Sequence, residues 1–268
     1  MIGQSLRFIG TIMFGLAACS AVAFLPARST GQEKGTVIRT KAELSPLDQP
    51  LAWLQEAKRN YSAVKDYSCV LVSQERVGGK LEEQNIIQLK MKNEPFSVHM
   101  RWLAPKKQQN QEVAFVVGKN NNKMRVKSSI LGLSNGGLLW VSIDPNDPRV
   151  LQHSRHTIYE AGIGNMIDQN LKHWEASRKI ANSKVDISES KYNNRDCIRI
   201  EVTALRPESS TYCYRSVIYL EKDSKLPIRL ENYAQPRDGS QPGGDLLEEF
   251  SYVNLQFNVG LTAKDFDR

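Results

Sequence analysis

Apolar residues recur at two different periods along this chain, and the changes of period mark out its elements. In residues 46–61, Leu47, Leu51, Leu54 and Ala57 fall on one side with Trp53 beside them, which predicts a first helix. Pro50 sits in its first turn, where a missing N–H costs little. From Asp66 the period becomes two: Tyr67, Cys69, Leu71 and Ser73 share one face, and Ser68, Val70, Val72 and Gln74 the other. Gly78-Gly79 predicts a hairpin turn, followed by returning strands over 81–92 and 96–102. Residues 113–117 and 124–126 flank the Asn-rich turn Asn120-Asn121-Asn122, and 138–143 adds a short strand stopped at Asp144-Pro145. Further strands are expected over 185–190, 197–204, 211–220, 227–233 and 246–257, at steps that suit an antiparallel meander rather than βαβ units.

One helical stretch interrupts this alternation. Ile163, Ile167, Leu171 and Trp174 recur every three or four residues and share one face, with Met166 flanking it. Thr157 and Glu160 fit a capping box. Gly162 and Gly164 weaken that start, which moves the expected beginning of the helix toward Asn165. The expected fold is mainly β (α+β): a curved antiparallel sheet forming an incomplete barrel, with the first helix and the central helix packed in its mouth.

The amino terminus changes the compartment. Within residues 1–27, Arg7 is the only charge and an apolar run follows it, which reads as a secretory signal. Leu16-Ala17-Ala18-Cys19 matches the bacterial lipobox, which would make Cys19 a lipidated first residue. Ala21-Val22-Ala23 and Leu25-Pro26-Ala27 are rival signal-peptidase sites, and an uncut anchor is the third reading. Residues 28–45 read as a polar linker, leaving 46–268 as the domain. The net charge of +7 on an exported chain points to a membrane surface or cell-wall polymers, not to nucleic acid. No dense Lys/Arg run is present, so a solvated mixed-charge surface is the simpler reading. Beyond Cys19, the chain carries Cys69, Cys197 and Cys213 without any C-x-x-C pair, which argues against zinc and thioredoxin chemistry. In an oxidising compartment, three thiols suggest one disulfide and one left over.

Several segments taken together resemble a known family. Tyr67-Ser68-Cys69 with Glu75-Arg76 and Gly79-Lys80-Leu81, Pro95-Phe96-Ser97-Val98, Ser154-Arg155-His156 through Gly164-Asn165, and Asn258-Val259-Gly260-Leu261-Thr262 to Asp265-Phe266 are similar to exported bacterial proteins grouped as domain of unknown function 1571. That family has no established activity. Its organisation is similar to the lipoprotein-carrier (LolA/LolB-like) half-barrel, which implies a concave apolar cavity able to hold an acyl chain. The chain departs from the family pattern at Gln108-Gln109-Asn110-Gln111. The resemblance also implies a disulfide between Cys69 and Cys197, with Cys213 as an alternative partner.

Candidate chemistry is sparse. Gly132-Leu133-Ser134-Asn135-Gly136 matches a hydrolase elbow by letters, but no parallel strand–helix order surrounds it, so a serine hydrolase using Ser134 is a remote reading. His153, His156 and His173 lack a carboxylate spaced to complete a metal shell, and no metal or cofactor is expected. Glu75-Arg76 reads as a solvated pair, and Asp144 and Asp147 as loop carboxylates. Arg155 and Glu160 read as a structural ion pair, or as an anionic-headgroup site at the cavity rim. Trp102, Trp140 and Trp174, with the helix face Ile163, Met166, Ile167 and Leu171, are the candidate cavity lining; as core residues they would need no ligand. The function expected is non-catalytic binding of a lipid, acyl chain or lipoprotein tail in the cell envelope. A structural or interaction protein of the envelope is the alternative.

Overall fold

Alternating burial along the strands decides the architecture. The computed structural model of the chain describes residues 45–127, 139–180, 182–206, 211–237 and 241–268. Cys19, the segment before residue 45 and the stretch holding Ser134 lie outside the described residues.

Helix α1 (Asp48–Tyr61) leads into strands β1 (Asp66–Val77), β2 (Lys80–Leu81), β3 (Asn85–Lys92) and β4 (Ser97–Ala104). Strands β5 (Glu112–Val116), β6 (Met124–Lys127) and β7 (Trp140–Ile143) complete the first half. Helices α2 (Pro148–Leu151) and α3 (Ile163–Lys179) follow, then β8 (Ser183–Tyr192), β9 (Arg195–Ala204), β10 (Arg215–Glu221), β11 (Pro227–Tyr233) and β12 (Leu246–Phe257). The expected strands are all present; β8 and β9 run longer than the pattern suggested, and β3, β7 and β10 are shorter. Helix α2 was not expected; Asp147, read as a loop carboxylate, caps it by accepting from the Arg149 N–H at 2.9 Å.

The sheet is wholly antiparallel, in the order β7-β6-β5-β4-β3-β1-β12-β11-β10-β9-β8, with β2 paired to β1. It consists of two meanders joined where the first long strand pairs with the last. Among the described residues, β7 and β8 remain unpaired edges, so the barrel is incomplete. Period two then sets the faces. Leu71 lies opposite Ile87 on one side and Tyr252 on the other, and all three are buried on the concave face.

Helix α3 covers that face. Gly162 permits its entry at φ +97, where a Cβ would sit 2.7 Å from Met91 Cε and 2.8 Å from Tyr67 Oη. The Ile163 N–H donates to the Tyr67 hydroxyl at 3.1 Å, so a buried side chain serves the first turn. The Thr157–Glu160 capping box does form, but it closes the short turn Ile158–Glu160, and the helix itself starts at Ile163, ahead of Asn165. Ile163, Ile167 and Leu171 are buried together with Leu51, Leu54 and Ala57 of α1, which packs along α3. Lys58–Asp168 and Arg178–Asp48, both at 2.7 Å, decorate this contact at the exposed side. The last residues cross the outer face as a strap: Lys90 pairs with Asp265 at 2.7 Å, Phe266 is buried, and the Arg268 carbonyl accepts from Arg125 at 3.1 Å.

The cysteines do not pair: Cys69, Cys197 and Cys213 are all free thiols. Cys69 is in phase with Leu71 on the concave face. Cys197, opposite Glu221, is out of phase with the inward Val202, and β12, β11 and β10 separate its strand from β1. Opposite faces and three intervening strands exclude the expected Cys69–Cys197 bond in this fold. The Cys213 Sγ instead donates to Asn232 Oδ1 at 3.5 Å.

Candidate functional site

Beneath α3 the concave sheet leaves a cavity of about 480 Å3. Its volume falls within the roughly 300–1,000 Å3 usual for small-molecule sites. Leu71, Ile87, Met100, Trp102 and Val126 form one apolar side, and Leu230 and Phe250 continue it across the barrel. From α3, Met166, Asn170, His173 and Trp174 face this space.

That placement divides the expected lining. Met166, Trp174 and Trp102 line the cavity. Ile163, Ile167 and Leu171 are buried in the core with α1 and are not part of the cavity wall. The apolar stripe is therefore the docking seam of α3, and the neighbouring, more polar face roofs the hollow. Trp140 pairs with Lys127, out of phase with the inward Val126, so it belongs to the outer face and not to the lining.

The concave face also carries a polar belt. Strand register sets Glu75 of β1 opposite Glu248 of β12, Glu248 opposite Asn232 of β11, and Asn232 opposite Ser216 of β10. One step along, Ser73 lies opposite Asn85 of β3. All six residues line the cavity. Glu75 is thus not the solvated residue expected from its neighbour Arg76.

Glu248 is the centre of this belt, 1% exposed. Its Oε1 accepts from the Tyr212 hydroxyl at 2.6 Å and from Asn232 Nδ2 at 2.7 Å. Its Oε2 accepts from Arg155 Nε at 3.1 Å and lies 2.8 Å from His156 Nε2. Burial alone would raise its pKa; the His156 contact and the Tyr212 and Asn232 donors overcome this and hold it at about 2. Burial would lower the His156 pKa, but Glu248, Glu75 and Glu160 together raise it. Glu75 accepts from the Arg155 N–H at 2.9 Å and from Ser154, yet burial dominates and its pKa is raised. His173, stacked on Tyr212 at 4.6 Å, has its pKa lowered by burial.

The expected Arg155–Glu160 pair is replaced. Arg155 goes to Glu248, while Glu160 accepts from the Thr157 N–H at 2.8 Å and lies 3.7 Å from His156 Nδ1. An anionic headgroup therefore meets no free guanidinium at Arg155. Glu75, His156 and Glu248 hold ligand-type atoms within 4.8 Å of one another, the geometry of a possible metal cluster. Both Glu248 oxygens are already occupied by donors, one of them the Arg155 cation, so this group reads as a hydrogen-bonded network.

A sequence profile for proteins of unknown function, DUF1571, matches residues 64–268. The chain belongs to the DUF1571 family. No curated protein matches it. Among solved structures, this DUF1571 chain is similar to the Mycobacterium tuberculosis lipoprotein LppX, at 10% identity and TM-score 0.47, over 82% of this chain and 100% of that one. It is also similar to LprF from Mycobacterium bovis, at 12% identity and TM-score 0.43, over 84% and 99% of the two chains. A LolA superfamily protein from Nitrosomonas europaea matches at 9% identity and TM-score 0.37, over 81% and 96%. The functional reading of this DUF1571 member rests on its own cavity.

The belt was missed because no single strand shows it. The signal present in the sequence was Glu248, in phase with Phe250 and Tyr252 on what is otherwise a buried apolar face.

Proposed function

We propose that this DUF1571 chain is an exported cell-envelope binding protein that takes an acyl-bearing amphiphile into the hollow under α3 and carries or shields it without catalysis. The observation that supports this most directly is the cavity itself: an unfilled space of about 480 Å3 with a wide apolar side and a polar belt. Apolar rows suit a hydrocarbon chain, and the belt suits a polar head. The groups around the belt are poor catalysts. Glu248 is saturated with donors, and burial pushes the Cys213 thiol up to about 12, leaving it protonated and unreactive.

A buried methylene contributes ~0.8 kcal/mol, or about fourfold in affinity. Binding of a saturated chain-length series is expected to tighten about fourfold per methylene until the hollow is filled, then to level off. Brominated chains are expected to quench Trp102 and Trp174, which line the cavity. Lipid mass spectrometry of the natively purified protein adds the identity of the bound species. An empty protein whose fluorescence ignores brominated chains of every length would refute the reading.

A further inference from the structure

Four buried polar atoms in the cavity wall have no hydrogen-bond partner among the described residues: Asn85 Oδ1, Gln108 Oε1, Ser183 Oγ and Ser216 Oγ. Two of these, on Asn85 and Gln108, are carbonyl oxygens that can only accept. Ser216 stands at the end of the belt and Asn85 beside its other end, with Glu75, Glu248 and Asn232 between them. The Ser183 and Ser216 hydroxyls can accept as well as donate, so all four atoms can take a hydrogen from a ligand. A buried acceptor without a donor is costly, and a ligand that brings donors removes that cost.

Charge narrows the choice. An anionic head would seek Arg155 or His156, but both already serve Glu248, and its own oxygens would face the Glu75 and Glu248 carboxylates. A cationic head would be drawn to Glu75 and Glu248, but the Arg155 guanidinium and the His156 ring already stand on Glu248 and would repel it. The charged groups already have partners within the network, and the unpartnered oxygens of Asn85 and Ser216 are neutral.

We propose that the belt is the head subsite of the cavity and selects an uncharged, donor-rich head, a polyol or amide as in an acylglycerol, over an anionic one. This rests on the acyl-binding reading above and specifies the class of amphiphile. The hydrocarbon chain runs along the apolar rows, and the head's hydroxyl or amide hydrogens reach Asn85 and Ser216. Binding of a phosphate or carboxylate head would instead require the Arg155–Glu248 contact to open.

The test compares three ligands with one chain length, displacing a fluorescent hydrocarbon probe from the full chain: 1-monopalmitoylglycerol, palmitate and hexadecyltrimethylammonium. Monopalmitoylglycerol is expected to bind at least tenfold more tightly than either charged ligand. The double variant Asn85→Leu/Ser216→Ala is expected to narrow that preference to under threefold. Equal or tighter binding of palmitate overturns the head assignment and leaves acyl binding standing. Displacement by none of the three overturns the acyl reading and the subsite with it. A full preference retained in the double variant shows that the head sits elsewhere. Circular dichroism confirms that the variant is folded, and Ser216→Ala alone, which removes one hydroxyl, gives the same readout with a smaller expected loss of about threefold.

Discussion

Replacing Glu248 with glutamine tests the belt where it is most constrained. The carboxylate is 2% exposed and accepts from Tyr212, Asn232 and Arg155, with His156 at 2.8 Å. Glutamine keeps the shape but offers one acceptor oxygen, no charge, and an NH2 that faces donors. The folded-state pKa of about 2 lies below an ordinary value of 4.5. A depressed carboxylate contributes stability that is present above the unfolded value and lost as pH falls through the folded one. Linkage puts this contribution at about 3 kcal/mol at pH 6, falling to about 1.4 kcal/mol at pH 3. Burial lowers the His156 pKa and Glu248 is the main group raising it, so the His156–Glu248 contact belongs to the same contribution. Urea unfolding followed by tryptophan fluorescence gives the difference between wild type and Glu248→Gln at each pH. With a urea slope of roughly 2 kcal/mol/M, the expected loss at pH 6 is a midpoint shift of about 1.5 M. The gap is expected to shrink by more than half by pH 3. A gap below about 1 kcal/mol at pH 6, or one that does not change with pH, would refute the claim that Glu248 is held ionised by its donors.

Other expectations follow from the same geometry. Glu75 has a raised pKa, so its ionisation opposes folding once pH rises above its unfolded value; Glu75→Gln is expected to be neutral or up to about 1 kcal/mol stabilising at pH 7.5 and to lose that advantage at pH 4, as read from urea midpoints. Gly162→Ala places a methyl 2.7 Å from Met91 Cε at φ +97, and calorimetry is expected to show a loss of about 2 kcal/mol or more. Phe266→Ala empties the buried anchor of the carboxyl-terminal strap and is expected to cost about 3–5 kcal/mol in the same assay. Alkylation under denaturing conditions without reductant is expected to label Cys69, Cys197 and Cys213 in full, since all three are free; a mass two hydrogens lighter, with one label only, would show a disulfide.

How far the sequence could be read depends on the range of the interaction concerned. Alternation is a local property, so Tyr67, Cys69 and Leu71, or Ile87, Leu89 and Met91, announce both strand and face. The pairing of β1 with β12 is not local. It joins Glu75 to Glu248 across most of the chain, and no spacing within either strand contains it. The α3 stripe shows a second limit. Ile163, Ile167 and Leu171 were correctly expected to be buried, but periodicity reports only that a face is covered, not what covers it. Here α1 takes that face, and the hollow takes the one beside it.

The belt cannot be explained by stability alone. Buried ion pairs can often be exchanged for apolar residues at no cost in stability, because desolvation offsets their attraction. A sheet that needed only a core could continue Phe250, Leu230 and Ile218 into the next row, with apolar residues at Glu248, Asn232 and Ser216. Instead that row keeps a carboxylate at the expense of recruiting Arg155, His156, Tyr212 and Asn232 to hold it. Arg155 and His156 come from the segment leading into α3, so the same contacts that satisfy Glu248 also tie the roof of the cavity to its wall. Loss of the belt would therefore act twice, on the polarity of the hollow and on the placement of its cover, which is why head preference and global stability must be measured separately.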